Sequence, residues 1–262
     1  ACYNCLTKNI MESTDYIFGI RAVIEAIEAG KEIDKVFIRK DLQGEALLKE
    51  LLDKLHRSRV PVQRVPVERI NRITRKNHQG VLAMLSAVTY HRLDHIVPAL
   101  YEDGVLPFVV VLDGITDVRN FGAIARTCEC AGVDAIVIPE RGSVSVGGDA
   151  VKTSAGALLH IPVCRERSAA GAVRFLKDNG YKIVAASEKA DINYTQADYT
   201  GPVAIVMGAE DVGISPEVLK QCDTFVSIPQ FGHIGSLNVS VAAGVIIYEV
   251  VRQRLAGNLE VI

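Results

Sequence analysis

The first part of the chain alternates between helix-like and strand-like patterns of hydrophobic positions. Residues 22–29 and 45–57 have apolar side chains three and four positions apart, as in amphipathic helices, and Gly30 ends the first of them. Short apolar runs typical of strands lie at residues 35–39, 62–65 and 81–85. This alternation predicts a small α/β domain that ends near Ser86.

The second part of the chain alternates more regularly. Helical segments separate most of its short, β-branched runs, which lie at residues 108–112, 135–138, 182–186, 204–207 and 224–228. Such alternation predicts a mainly parallel sheet covered on both faces, with ligand sites beyond the carboxyl ends of the strands. A last helix, residues 239–251, is apolar nearly all round and is therefore expected to be buried.

Three polar, glycine-containing loops follow strands of this second part. They are Leu112-Asp-Gly-Ile-Thr-Asp-Val-Arg-Asn-Phe-Gly-Ala-Ile-Ala-Arg-Thr127, Val206-Met-Gly-Ala-Glu-Asp-Val-Gly-Ile-Ser215 and the tract from Ile228 to Glu249. In the third, Ser236 and Asn238 immediately precede the long apolar helix, and both residue types are favoured helix caps. A helix start presents backbone donors, so each loop is a candidate ligand site.

The helix after the first loop carries a candidate functional arginine. If Asn120 caps this helix, Ile124 and Cys128 share its buried face and Arg126 lies on the opposite one. An arginine in that position is often only a surface residue. The loop at the end of a strand, just before the helix, favours a functional interpretation instead.

The three loops together resemble the motifs of the SpoU/TrmH family of RNA ribose 2′-O-methyltransferases. The resemblance extends over about residues 16–255. It implies a catalytic domain with the SPOUT fold, an α/β fold with a mainly parallel sheet and a C-terminal trefoil knot. It also implies S-adenosyl-L-methionine as the methyl donor. Ala209 stands where the family more often has Asn, Asp211 where a small residue is common, and Gln230 where Met is usual.

The resemblance also implies roles for individual residues. Arg126 is the predicted catalytic arginine, and Asn120 is expected to hold it and the RNA. The predicted catalytic set is Arg126, Asn120, Glu210, Ser236 and Asn238. The predicted cofactor-binding set is Gly208, Ile228, Leu237 and Ser187. Since an arginine is essentially always protonated, we expect Arg126 to stabilise developing negative charge rather than to act as a base.

The predicted domain organisation has four parts. Residues 1–15 are expected to be a tag or disordered, residues 16–88 to form an RNA substrate-binding domain, residues 89–106 to form a linker with a short helix, and residues 107–262 to form the methyltransferase domain. The segments Tyr16–Ala26 and His78–Ala83 resemble signatures of the family's substrate-binding domain, which is similar to a small ribosomal-protein fold.

Charge is distributed unevenly along the chain. The net charge is −2, yet residues 54–76 hold eight basic side chains and a single acid, Glu68. The predicted RNA-binding residues are Arg57, Arg64, Arg72, Arg75 and Lys76. A solvated helix face is the alternative interpretation of this segment. The resemblance to the SpoU/TrmH family implies large-subunit 23S ribosomal RNA as the substrate. The alternatives are a tRNA methyltransferase and a non-catalytic RNA-binding protein of ribosome assembly.

Composition sets further expectations. Six cysteines without a second zinc-ligand pair beside Cys2 and Cys5 indicate no metal site and favour a reducing cytoplasm. No apolar run is long enough for a membrane span, and no signal peptide is evident. The apolar last helix and the family resemblance together predict a homodimer.

Overall fold

The computed structural model describes residues 16–44 and 46–259. The segment predicted to be a tag or disordered lies outside the described residues, as do Cys2 and Cys5. The chain divides into two compact units. The first holds the described residues up to Thr89 together with Ser145–Asp149, and the second holds Tyr90–Val144 and the described residues from Ala150 onward.

The first unit is built on a four-stranded sheet. Its strands are β1 (Tyr16–Phe18), β2 (Ile33–Arg39), β3 (Val62–Val65) and β4 (Val81–Leu85), in the order β1-β4-β2-β3. Its helices are α1 (Ile20–Glu28), α2 (Ala46–Arg57) and α3 (Val67–Asn71). Strand β2 runs parallel to β3 and antiparallel to β4.

Side chains of this sheet alternate between two separate cores, because successive residues of a strand point to opposite faces. Val36 and Ile38 pack with α1 and α2 on one side of the sheet. Phe37 lies between them in sequence and packs with Ile70 of α3 on the other side. The sheet therefore separates an α1/α2 side from an α3 side.

The second unit is built on a sheet in which every described pairing is parallel. Its strands are β5 (Tyr90–His91), β6 (Phe108–Asp113), β7 (Ala135–Pro139), β8 (Val163–Glu166), β9 (Lys182–Ala186), β10 (Ile192–Asn193), β11 (Val203–Gly208) and β12 (Thr224–Ser227). The order across the sheet is β10-β12-β9-β11-β6-β7-β8-β5. The fold is α/β, as the sequence predicted. The trefoil knot that the family resemblance implies stays a prediction.

Helices cover both faces of this sheet. The helices that follow β5 along the chain are α4 (Leu93–Glu102), α5 (Val118–Cys130), α6 (Gly148–Thr153), α7 (Ala169–Asp178), α8 (Pro216–Leu219) and α9 (Val239–Leu259). Val109 and Val111 of β6 share a core with residues of α4, α7 and α8. On the opposite face α9 contacts α5 and β11. No helix in the described residues is both long and apolar enough to span a membrane.

All eight predicted strands are confirmed to within two residues at either end. Strand β8 was not predicted, since its second half consists of Arg165 and Glu166 and breaks the apolar run. The predicted linker, residues 89–106, holds β5 and α4. Leu93 and Val97 of α4 are buried in the core of the second unit. The domain boundaries predicted from the sequence, at residues 88/89 and 106/107, stay predictions.

Candidate active site

The three polar loops leave the same edge of the parallel sheet. Strands β6 and β11 are neighbours, paired so that Asp113 lies opposite Gly208 at their carboxyl ends. Strand β9 lies between β11 and β12 and pairs parallel with each of them, so β12 runs in the same direction as β11. Because parallel strands end at one edge, the loops after β6, β11 and β12 meet there, as expected for a ligand site of an open α/β sheet.

The first loop enters helix α5 through Asp117 rather than Asn120. Asp117 Oδ1 accepts hydrogen bonds from the backbone nitrogens of Arg119 at 2.9 Å and Asn120 at 2.8 Å. The expectation that Asn120 caps this helix was therefore wrong. Asn120 lies in the first turn of α5, and its side chain is free to reach the other loops.

Arg126 lies on the exposed side of α5. Ile124 and Cys128 are fully buried, as the helical spacing predicted, whereas Arg126 is exposed. Its guanidinium makes no hydrogen bond or ion pair with any residue in 16–44 or 46–259 and is available to a ligand. Burial raises the pKa of the Cys128 thiol far above its ordinary value, so this neighbouring thiol is not a nucleophile.

The second loop is a tight turn that only glycine permits at its start. Ala209 and Gly213 exchange backbone hydrogen bonds of 3.2 and 2.9 Å across it. A Cβ atom on Gly208 would lie 2.3 Å from both the carbonyl carbon of Gly213 and the nitrogen of Ile214. Asp113 Oδ2 then accepts a 2.7 Å hydrogen bond from the nitrogen of Ser215, which ties this loop to the end of β6.

A hydrogen-bond network joins all three loops through Glu210. Asn120 Nδ2 donates to Glu210 Oε2 at 3.2 Å, and Asn238 Nδ2 donates to Glu210 Oε1 at 2.7 Å. Asn238 Nδ2 also donates to Asn120 Oδ1 at 3.0 Å, and the nitrogen of Val239 lies 3.4 Å from Glu210 Oε1. Both oxygens of the carboxylate are thus engaged, so Glu210 fixes the relative positions of the two asparagines.

Asn238 caps helix α9, as predicted, and Ser236 does not. Asn238 Oδ1 accepts from the nitrogen of Ser240 at 3.0 Å and from its hydroxyl at 2.5 Å. Ser236 is exposed and makes no hydrogen bond with the part of the chain that the structure describes. Its hydroxyl is therefore free for a ligand.

A cavity of about 320 Å³ opens between the second and third loops. All four predicted cofactor residues line it, namely Ser187, Gly208, Ile228 and Leu237. Glu210 and Ser236 of the predicted catalytic set line it too, whereas Arg126, Asn120 and Asn238 do not. Its volume falls within the range of small-molecule sites.

The cavity combines apolar walls with several charged groups. Three carboxylates, those of Glu188, Glu210 and Asp211, and one ammonium group, that of Lys189, lie along it. Glu188 and Lys189, which follow strand β9, were not predicted from the sequence. Their position after a strand of the predicted parallel sheet was a signal that could have pointed to them.

The predicted RNA-binding side chains all belong to the first unit and are all exposed. Arg57 ends α2, and Arg64 lies in β3. Arg72, Arg75 and Lys76 follow α3. Among the described residues, no group of three or more His, Cys, Asp or Glu could hold a metal ion.

Two family models match the chain. Residues 107–248 match the SpoU rRNA Methylase family, and residues 16–91 match the domain described as RNA 2′-O ribose methyltransferase substrate binding. Among curated relatives, a protein of Staphylococcus saprophyticus is 38% identical over 238 residues, which cover 91% of this chain and 95% of the relative. A protein of Staphylococcus aureus is 36% identical over 244 residues, 93% of this chain and 98% of the relative. Both are assigned by name to the TrmH family of tRNA/rRNA methyltransferases.

Solved structures share the fold. The SpoU methyltransferase AviRb from Streptomyces viridochromogenes, in complex with the cofactor AdoMet, covers 95% of this chain and 97% of its own, with a TM-score of 0.59 and 23% identity. The TrmH/SpoU tRNA modifying enzyme of A. aeolicus covers 58% of this chain and 77% of its own, with a TM-score of 0.52 and 30% identity.

Proposed function

The chain belongs to the SpoU methylase family of RNA methyltransferases, and from this membership we propose that it methylates a ribose 2′-hydroxyl of large-subunit 23S ribosomal RNA. The methyl donor in this proposal is S-adenosylmethionine. The family match supports RNA methylation, and the ribosomal substrate is the finer step that the proposal adds.

One observation carries the proposal. Asn120, Glu210 and Asn238 come from three separate loops and form one hydrogen-bond network beside the cavity that Ser187 and Gly208 line. A helix or turn with a purely structural role does not require such a network of polar side chains at its exposed end. The exposed, unpaired Arg126 on the same helix as Asn120 adds a cation without a structural partner.

The cavity fits the proposed cofactor chemically. S-adenosylmethionine carries an ammonium and a sulfonium group, both positive, and a carboxylate. The carboxylates of Glu188 and Asp211 suit the positive groups, and Lys189 suits the carboxylate. Ile228 and Leu237 supply apolar wall for the adenine ring. When bound, the cofactor supplies an electrophilic methyl group on its sulfonium sulfur.

The protein's own residues then have distinct tasks. The ribose hydroxyl must lose its proton as the new O–CH₃ bond forms and the S–CH₃ bond breaks. We assign Arg126 to stabilise the negative charge that develops on that oxygen, since a guanidinium stays protonated at neutral pH. Glu210 has both oxygens engaged and serves as a positioning residue. Water or an RNA phosphate oxygen takes the proton.

The proposal includes a homodimer. Val241, Tyr248 and Leu255 recur every seventh residue along α9 and are 51%, 50% and 60% exposed, so the expectation of a fully buried helix was wrong for the single chain. Such spacing places them along one side of the helix. A second copy of the chain, burying this stripe, is the proposed occupant. A cytoplasmic location is also part of the proposal.

The proposed function is tested by incubating the purified chain with tritiated S-adenosylmethionine and either deproteinised bacterial 23S ribosomal RNA or bulk tRNA. We expect label in the ribosomal RNA, recovered as a 2′-O-methylated nucleoside after digestion. Label in tRNA alone would show that tRNA, and not ribosomal RNA, is the substrate. Absence of label from both RNAs, with no binding in a cofactor titration, would leave a non-catalytic RNA-binding protein as the function.

A further inference from the structure

The basic side chains of the first unit lie on two different sides of its sheet. Arg57 ends α2, which packs on the α1/α2 side through Leu51 and Leu55. The α3 segment, which we define as residues 67–76, covers the other side through Ile70 and Ile73. The eight cations that are close together in sequence therefore do not form one surface.

We propose that RNA docks on the α3 side only, with its phosphates held by Arg69, Arg72, Arg75 and Lys76. The inference rests on the proposed RNA substrate and deepens it by naming the docking face. It excludes Arg57 and Arg64 from the set of RNA-binding residues predicted from the sequence.

One cation of helix α2, Lys54, is already paired with acids in the folded chain. Lys54 Nζ lies 2.7 Å from Glu28 Oε1 and 3.7 Å from Glu50 Oε1. Helix α2 as a whole carries three cations and two acids, namely Lys49, Lys54 and Arg57 with Glu50 and Asp53. Its exposed surface is close to electrically balanced and offers little attraction to a polyanion.

Arg64 is also engaged. Alternation along β3 places it on the same side as Val62, which packs in the α1/α2 core. Its Nη1 donates to the carbonyl oxygens of Leu42 at 2.9 Å and Arg39 at 3.3 Å. The guanidinium thus stabilises the turn after β2, and this structural role is sufficient to explain an arginine at position 64.

The α3 segment has the opposite character. It carries four cations, and its one acid is Glu68. Arg72 and Arg75 are exposed, and their guanidinium groups make no hydrogen bond or ion pair with any residue that the structure describes. Four positive charges against one negative charge within ten residues are the electrostatic footprint expected for contacts with a phosphate backbone.

Aromatic rings hold two of these cations in place. The guanidinium carbon of Arg69 lies 5.1 Å from the ring centroid of Phe37, and Lys76 Nζ lies 6.0 Å from that of Phe18. A cation over a ring face keeps its N–H donors available to solvent or phosphate. Its freedom is already reduced, so less conformational entropy is lost when RNA binds.

The loop that ends the segment is also ordered by its own side chains. The nitrogen of Lys76 donates to Thr74 Oγ1 at 3.3 Å, and Thr74 is buried. His78 Nδ1 accepts from the nitrogen of Gly80 at 2.9 Å, so its Nε2 carries the hydrogen and donates to Asn71 Oδ1, also at 2.9 Å. These contacts present Arg75 and Lys76 from a fixed backbone.

Two full-length variants with the same change in net charge test the inference. The first carries Arg72→Glu and Arg75→Glu on the α3 side, and the matched control carries Lys49→Glu and Arg57→Glu on α2. Binding of each to deproteinised 23S ribosomal RNA is measured from 50 to 300 mM salt. Thermal unfolding and a cofactor titration confirm that both variants fold.

We expect the α3-side variant to bind at least about 10-fold more weakly near physiological salt. The slope of log affinity against log salt should become shallower by about 1.4 to 1.8, since the variant loses two phosphate contacts and each removes roughly 0.7 to 0.9. The control should stay within about 3-fold of the unsubstituted chain, with its slope unchanged. Equal losses in the two variants, or no loss in the first, would overturn the inference.

Failure of this inference is distinguishable from failure of the proposed function. If the unsubstituted chain methylates RNA and both variants bind it equally well, only the docking face is wrong. If the chain binds RNA in the predicted side-dependent way but methylates none, the docking face stands and the proposed activity is wrong.

Discussion

The side-chain nitrogen of Asn238 lies 2.7 Å from the carboxylate of Glu210, 28 positions earlier in the chain. The same nitrogen lies 3.0 Å from the side-chain oxygen of Asn120, which is 118 positions away. Both of its hydrogens are therefore committed within the protein. The side-chain nitrogen of Asn120 also has two hydrogens, and only one of them is donated to Glu210. Of the two amides, that of Asn120 therefore keeps a free N–H to offer a ligand.

This network predicts that Glu210 and Asn238 act as one unit. Glu210→Gln replaces one acceptor oxygen by a donor, and Asn238→Ala removes both donated hydrogen bonds; each should lower kcat by about 10-fold or more. The double variant should lose less than the product of the two, with a coupling of about 0.5 to 3 kcal/mol. Single-turnover methylation assays measure this. As a control, Glu129→Gln, an exposed acid of α5, should combine additively; strictly additive effects of Glu210 and Asn238 would contradict the network.

Arg126→Ala should reduce the methylation rate by at least about 100-fold, the scale of losing an electrostatic contact to a transition state. Affinity for S-adenosylmethionine should change little, because Arg126 does not line the cavity. Rate and cofactor affinity are measured separately, by RNA methylation and by calorimetry. The control is Arg174→Ala, another exposed arginine on a helix of the same unit. A near-normal rate in the Arg126 variant would remove that residue from the catalytic set.

Gly208→Ala should weaken cofactor binding and lower stability. The added Cβ would meet backbone atoms of Gly213 and Ile214 at 2.3 Å, so the turn must move, at a cost of about 1 to 3 kcal/mol. Gly201→Ala is the matched control, since a Cβ there meets nothing within 4 Å. Urea unfolding and a cofactor titration give the two readouts. Unchanged cofactor affinity would show that the turn does not shape the site.

Tyr248→Glu combined with Leu255→Glu should convert the proposed homodimer to a monomer, because two charges cannot be buried in an apolar interface without a large desolvation cost. Sedimentation velocity at micromolar concentration measures the change. Leu159→Glu, at a leucine that is 55% exposed elsewhere in the second unit, should leave the dimer intact. A monomeric unsubstituted chain would contradict the prediction directly.

Glu249 should contribute stability that depends on pH. Hydrogen bonds from Arg252, at 2.7 and 2.8 Å, hold the pKa of Glu249 below its ordinary value. Its contribution is thus present above an unfolded-state pKa of about 4.3 and is lost as pH falls through the lower folded-state value. Glu249→Gln should cost on the order of 1 kcal/mol at pH 7 and progressively less toward pH 3. Urea unfolding across that range tests this, with Glu129→Gln as the control; a cost independent of pH would refute it.

Local sequence information was sufficient for much of the fold. The apolar runs of β6 and β11 identified buried parallel strands, because such strands are covered on both faces and need no polar alternation. It was not sufficient for β8, whose polar half obscured the pattern. It also misplaced the start of α5, because Asp117 and Asn120 are both good caps and only the folded backbone shows which one bonds.

By itself the sequence determined which residue types stand at the ends of which strands, and it therefore predicted that Gly208, Glu210 and Asn238 belong to candidate ligand-binding loops. Only the tertiary structure decided which of them touch, since hydrogen bonds between loops far apart in the chain depend on strand order and register, which local patterns do not encode. The same limit applies to the basic segment of the first unit. The basic residues are close together in sequence, which suggested one basic surface. The sheet between α2 and α3 instead separates them onto two sides.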